Sequence, residues 1–212
     1  MKKASVILTV LFFLLVLGAL TEQAQGEKLP SIKGSKVLMV IASKDFRLEE
    51  YKIPREILER QGAKVKVASS RLSPSVDMSG KMKVKPNILL KKVKVKDYDA
   101  IIFVGGKGAQ EYWNDSKAHS IVREAVKEGK ILGAICIAPV ILARAGVLKD
   151  KRATVWTGCA QELKEKGVEY TGKDVEVAGR IITANGPSAA KWFGEALVEK
   201  IFLSKFQDVI KP

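Results

Sequence analysis

The feature that most constrains this chain is a recurring unit: a short, unbroken apolar run that stops at small residues and is followed by a helical pattern. "SKVLMVIAS" (35–43), "YDAIIFVGG" (98–106) and "ILGAI" (131–135) are such runs. A strand that reads as continuously apolar is buried on both faces, which is the habit of parallel sheets. Between the runs, "RLEEYKIPREILERQGAKV" places Ile53, Ile57 and Leu58 at helical spacing and ends near Gly62. "SKAHSIVREAVKEGK" is amphipathic, and "APVILARAG" follows the third run directly. Strands alternating with helices predict an α/β chain, a mostly parallel sheet covered on both faces.

The remaining elements complete that scheme. "AKVKVAS" and "RATVWTG" read as strands, and "QELKEKG" as a short helix. "VEVAGRIITANGP" reads as a hairpin turning near Ala178 and Gly179. Pro54 either starts the regular part of the first helix or kinks it. The last helix is expected to turn Trp192, Phe193, Ala196 and Leu197 inward. "KMKVKPNILLKKVKVK" (81–96) holds seven lysines alternating with valines, which predicts two strands with lysines on one face. Its plain role is a solvated edge hairpin that discourages edge-to-edge pairing.

Residues 1–26 stand apart. A basic "MKK" precedes 17 uncharged residues (4–20) and a short polar stretch with Ala24 and Gly26. This is the pattern of a cleaved signal peptide or of a retained N-terminal membrane anchor, and either places the domain outside the cytoplasm. Residues 27–35 are expected as a linker and 36–212 as one domain, a length suited to a single core. The net charge is +14, and residues 1–26 contribute only +1 of it. A surplus of that size points to an anionic membrane or cell wall as a contact. Export and the lack of interleaved aromatics argue against nucleic acid. Two cysteines make no framework and match no zinc spacing, so no metal and no cofactor is expected. A Cys136–Cys159 disulfide stays open for an exported chain.

In a parallel sheet, ligands gather where loops leave the carboxyl ends of the strands. Three loops converge there, carrying Glu49 and Glu50, Gly105 and Gly106, and Cys136. Cys136 falls at a sharp strand-to-helix turn, a nucleophile elbow. Gly133, Ala134 and Ala138 leave room for the turn, and Pro139 suits the first turn of the helix. A thiol at a helix start faces unpaired N–H groups and the positive dipole end, which predicts a lowered pKa. The N–H groups of Gly106 and Ile137 are placed to form an oxyanion hole.

"GAICIAP", "FVGGKGA", "EEYKIP" and "ITANGP", in that order over residues 36 to about 202, resemble the ThiJ/PfpI superfamily. The resemblance implies a flavodoxin-like, doubly wound fold, a homodimer, and Cys136 as the reactive centre. It also implies a glutamate four residues before a proline, hydrogen-bonded to the cysteine. That position is Glu50, with Glu49 as the open alternative. Beside a thiolate, the Glu50 carboxyl pKa is expected to rise, because two like charges in a dry pocket cannot both ionise.

Departures from the family are specific. Ile137 stands where PfpI-type proteases carry a histidine, and Trp156 where deglycase-type members carry one. Arg47 replaces an upstream glutamate, and Asn185 stands where some relatives have arginine. The single histidine, His119, reads as a surface residue. Gly105, Trp156 and Asn185 are expected to line the pocket, with Ile137 and Trp156 as apolar walls. Without a base beside the thiol, peptidase chemistry is disfavoured. Two functions follow. One is an enzyme in which Cys136 attacks a small reactive carbonyl while Glu50 moves protons. The other is a redox sensor or chaperone in which Cys136 takes up oxygen from an oxidant.

Overall fold

The computed structural model describes residues 29–210. Its centre is a seven-stranded sheet. β1 (Lys36–Val40) is followed by a short β2 (Lys44–Phe46) and by helix α1 (Leu48–Arg60). β3 (Lys64–Ser69), β4 (Ser75–Asp77), β5 (Lys83–Val84) and β6 (Ile88–Leu89) come next. β7 (Ala100–Phe103) leads through a 3-10 turn at Lys107–Tyr112 into α2 (Ser116–Lys127). β8 (Ile131–Ile135) leads into α3 (Pro139–Arg144). β9 (Arg152–Ala153), α4 (Ala160–Glu165) and β10 (Glu169–Tyr170) form a small outwork. β11 (Val175–Ala178), β12 (Ile181–Ala184) and α5 (Ala190–Ile210) close the chain.

The sheet order is β11-β12-β8-β7-β1-β3-β6. Every neighbouring pair is parallel except β11–β12, the predicted hairpin, whose turn residue Gly179 has φ 62°. The chain runs outward from β1 to β3 and β6, then returns to the other side of β1 with β7 and continues to β8 and β12. The switch point therefore lies between β1 and β7. This is the flavodoxin-like, doubly wound arrangement that the sequence predicts.

Alternation along the strands divides the core. Leu38, Val40, Ile101, Phe103, Leu132 and Ala134 face α2 and α3. Val37, Met39, Ile41, Ile102, Ile135 and Ile182 face α1 and α5. Both faces are sealed, which is why the strands carry no polar side. Pairing is flush at the carboxyl ends: Val40 stands opposite Phe103, Phe103 opposite Ala134, and Ile135 opposite Ala184. The loops beyond these residues start at one level.

Three local expectations are revised and one open alternative, at Pro54, is decided. Residues 29–35 are no free linker: Ile32 is fully buried, its N–H donates to Gln61 O at 2.8 Å, and Ser35 O accepts from Lys64 N at 2.7 Å. The leader expected over 1–26 lies outside the described residues. The lysine-rich stretch is not a hairpin. β5 pairs antiparallel with β4, while β6 pairs parallel with β3 at the sheet edge. Two 3-10 turns follow, and they still bury Leu90, Val93 and Val95 while Lys91, Lys92, Lys94 and Lys96 stay exposed. On α5, Phe193 and Leu197 are buried and Ala196 packs beside them, but Trp192 is turned out to solvent. One residue is 100° of helix, enough to leave the buried stripe. Pro54 sits inside α1, not at its start. Its missing N–H leaves the carbonyl four residues back, that of Glu50, without the usual helical donor.

Candidate active site

Cys136 occupies the single bend between β8 and α3 with φ 63°, left-handed for a residue with a Cβ. Such a conformation costs about 1–3 kcal/mol and persists only where surrounding bonds enforce it. They do so here. The Cys136 N–H donates to Ala184 O at 2.9 Å, and its carbonyl accepts from Trp156 N–H at 2.9 Å. The elbow is thus held from β12 on one side and from the turn after β9 on the other.

Gly105 is the hinge of the crevice. A Cβ there would fall on Glu50 Oε2 and on the Cβ of Cys136, so this position admits glycine alone. The same fact shows that the acid and the thiol flank one backbone unit. Gly106 follows with φ 90°, and a side chain there would strike Arg47 N and Asp45 O. The Gly105 carbonyl accepts from Arg47 N–H at 3.0 Å, tying the loop after β7 to the start of α1. Fully buried Phe46, edge-on to Tyr51 at 5.7 Å, anchors the same corner from below.

The two glutamates occupy opposite environments. Glu49 points to solvent and pairs with Arg47 Nε at 3.1 Å. Glu50 is completely buried, and neither carboxyl oxygen has a partner in good hydrogen-bond geometry. The polar groups bearing on its proton are the Cys136 thiol and the Gly105 backbone. Burial raises the Glu50 pKa from 4.5 to about 7, with the thiol and Arg47 pulling the other way. The rise was expected; its main cause is lost solvation more than a neighbouring charge.

The thiol departs from expectation. Burial, and then the negative charge of Glu50, push Cys136 up to about 12. The N–H groups of Gly106 and Ile137 pull it down but do not prevail. The expectation weighed the helix start above burial and the Glu50 charge, whereas burial is the largest cause and α3 itself begins only at Pro139. The elbow therefore carries a thiol held in its protonated form, beside a carboxyl group whose pKa is raised to about 7.

Other expected pocket residues are placed differently. Ile137 presents its N–H toward the sulfur while its side chain joins the interior cluster. Trp156 acts on the elbow through its backbone; its ring lies over Gly158 and is 51% exposed. Asn185 is occupied elsewhere, its amide donating to Asp174 Oδ1 at 2.8 Å. His119 is half-buried, with a ring nitrogen 2.9 Å from Trp113 O, so it is not a free surface group. Cys159 is a buried free thiol, as Cys136 is a free one. Among the described residues, no group of three His, Cys, Asp or Glu side chains could hold a metal ion.

A second carboxylate nearby was not anticipated. Glu111 accepts from Ser43 N–H at 3.0 Å, Ser43 Oγ at 3.0 Å and Ser70 Oγ at 3.2 Å. Next to it, the Tyr112 hydroxyl donates to Ile41 O at 2.9 Å and accepts from Ser70 N–H at 3.0 Å. Together they clamp the carboxyl ends of β1 and β3. No periodicity marks these residues; only the folded contact does.

Comparison with known proteins agrees with this fold. The DJ-1/PfpI family model matches residues 35–200. An uncharacterised protein of Methanocaldococcus jannaschii is 40% identical over 204 residues, 95% of this chain and 98% of that one. A glutathione-independent glyoxalase of Caenorhabditis elegans is 29% identical over 82% of this chain and 94% of its own length. The crystal structure of a ThiJ/PfpI domain protein from Brachyspira murdochii superimposes with a TM-score of 0.78 at 28% identity, covering 81% of this chain and 98% of that chain. With the elbow, the buried acid and the sheet order all in place, the chain belongs to the DJ-1/PfpI family.

Proposed function

We propose that this protein is an exported enzyme that converts small reactive carbonyls, in the manner of a glyoxalase or deglycase, through Cys136 and Glu50. The observation that carries this reading is the buried Glu50 carboxyl, without a well-aligned donor, set against the same glycine as the Cβ of Cys136. The glyoxalase among its relatives supports the substrate class.

For a 2-oxoaldehyde such as methylglyoxal, the chemistry runs as follows. The sulfur bonds to the aldehyde carbon as its proton passes to the Glu50 carboxylate. The oxygen of the hemithioacetal takes its negative charge between the Gly106 and Ile137 N–H groups and then a proton from Glu50. Glu50 next removes the hydrogen on the former aldehyde carbon and returns a proton to the neighbouring carbon, while the hydroxyl proton on the first oxygen passes to the second. That shift oxidises the first carbon to a thioester and reduces the second to an alcohol. Water cleaves the thioester, releasing lactate and restoring the thiol. Methylglyoxal and one water give lactate, with no external oxidant.

Because Glu50 begins as the base, kcat/KM should rise with pH about a midpoint near 7, where the carboxyl loses its proton. Methylglyoxal turnover by wild type, Cys136→Ser and Glu50→Gln tests the reading. Equal rates in all three would overturn it.

A redox-sensor or chaperone role is the second reading. It draws on the lack of a histidine at Ile137 and Trp156, and on two N–H groups able to hold an oxidised sulfur. Mild peroxide followed by mass spectrometry should then place oxygen on Cys136 before any methionine. In either role we expect a homodimer. The exposed lysines of 81–96 suit contact with an anionic membrane or cell wall.

A further inference from the structure

The oxyanion donor Ile137 N–H belongs to a peptide unit whose other polar atom, the Cys136 carbonyl, is held by Trp156 N–H at 2.9 Å. The next carbonyl, that of Ile137, is held less firmly by its own helix, with Val140 N–H at 3.3 Å. A second donor reaches it from another element: the indole Nε1–H of Trp113, also at 3.3 Å. Trp113 ends the turn that follows β7, so it comes from the same loop that supplies Gly105 and Gly106.

The indole is itself fixed from several sides. The Arg144 guanidinium lies over its ring, 4.9 Å from the centroid. That guanidinium is held in turn, by Asn114 Oδ1 at 2.8 Å and by Glu162 Oε2 at 2.8 Å. The Trp113 carbonyl meets the His119 ring nitrogen at 2.9 Å. A bulky side chain braced in this way presents one N–H in one direction, and that direction is the elbow.

We propose that Trp113 is a positioning residue for the elbow: its indole N–H locks the Ile137 backbone so that the Ile137 N–H faces the sulfur and the oxygen of the bound carbonyl. This rests on the reading of Cys136 as the nucleophile. Without the indole bond, the Ile137 peptide pair is held firmly on one side alone, by Trp156 N–H on the Cys136 carbonyl, while the Ile137 carbonyl keeps only its long contact with Val140 N–H. The Ile137 N–H then drifts from the position where negative charge develops. Loss of a whole oxyanion donor typically costs about 100- to 1000-fold in kcat. A misaligned donor should cost about tenfold.

The test compares the full chain as wild type and as Trp113→Phe, which keeps an aromatic ring beside Arg144 but removes the donor. Three quantities are read: kcat and KM for methylglyoxal, the alkylation rate of Cys136 against pH, and the melting temperature. Alkylation is followed on the Cys136 peptide by mass spectrometry, so Cys159 does not contribute. The charged group bearing on the sulfur is Glu50, with Arg47 and Glu49 acting on Glu50 in turn. Around the indole stand Arg144, His119 and Glu162. Trp113→Phe leaves all of these in place.

The expected result is a kcat lowered about tenfold with KM within about twofold. The alkylation profile should move to higher pH, because the sulfur loses part of one N–H. Arg144→Met keeps the indole but frees it, and should move both readings the same way by less. A Trp113→Phe protein with wild-type kcat and an unmoved alkylation profile would overturn the proposal, as would one that melts lower with both readings unchanged. If the wild type itself does not turn over methylglyoxal, the proposed function fails. The alkylation profiles then still decide the role of Trp113.

Discussion

Two carboxylates sit at the carboxyl ends of the same sheet and are treated in opposite ways. Glu111 stands at the surface with donors from Ser43 and Ser70 around it, and it binds two strand ends together. Glu50 is sealed from solvent with no well-aligned donor, and its pKa is lifted to about 7. The first is spent on holding the fold. The second is a liability to the fold, and its only evident use is chemical. A buried acid held short of ionisation is what a site needs if that acid is to exchange protons near neutral pH.

Substitutions should pull this contrast apart. The largest effect is expected for Cys136→Ser, which should lower carbonyl turnover by about a thousandfold or more while leaving the fold intact. Steady-state assays and a melting curve check both halves. Next, Glu50→Gln should lower turnover by about 100-fold or more and flatten the pH profile near 7.

The same variant should be more stable than wild type above neutral pH. The folded pKa of Glu50 lies above its ordinary value of 4.5, so between 4.5 and about 7 the unfolded chain binds fewer protons than the folded one. Wild-type stability therefore falls as pH rises through that window, by about 3 kcal/mol in all. Glutamine removes this penalty, so denaturant midpoints of the two proteins should agree at pH 4 and diverge by pH 8. No divergence would mean that Glu50 is solvated or paired.

The clamp should behave in reverse. Tyr112→Phe leaves Ile41 C=O and Ser70 N–H without their partner, and should cost about 1–3 kcal/mol at every pH from 4 to 8. Glu111→Gln, smallest of the set, should cost about 1 kcal/mol and leave kcat within about twofold. If either substitution removed activity without loss of stability, the division between the two carboxylates would collapse.

How much of this could be read from residues alone depends on what each signal measures. β1, β7 and β8 were legible because burial on both faces leaves an unbroken apolar run, and their loops were marked by glycines and a lone cysteine. Glu50 was legible only through the family resemblance, which puts a glutamate four residues before a proline. The strands β2, β4, β5 and β10 span two or three residues, too few for any period to register, and β9 keeps only two residues of the strand read over "RATVWTG". In the lysine-rich stretch, inward valines and outward lysines alternate in a strand and also through successive 3-10 turns, so the pattern did not specify the backbone. The chemistry of Cys136 was misjudged because a pKa depends on burial and on a residue 86 positions away. Trp113 and the Asn185–Asp174 pair are contacts across the fold, invisible to local spacing.

The docking of Ile32 carries a consequence for orientation. Its partner Gln61 lies past the carboxyl end of α1, and Ser35 pairs beside the start of β3, so residues 32–35 join the body where the strands begin. The crevice opens where they finish, roughly 15 Å away along a five-residue strand. The stretch from Ile32 to Ser35 is thus stapled to the pole opposite the thiol. Loosening that staple, as by Ile32→Ala, should weaken the fold from its far end and leave the mouth of the site as it is.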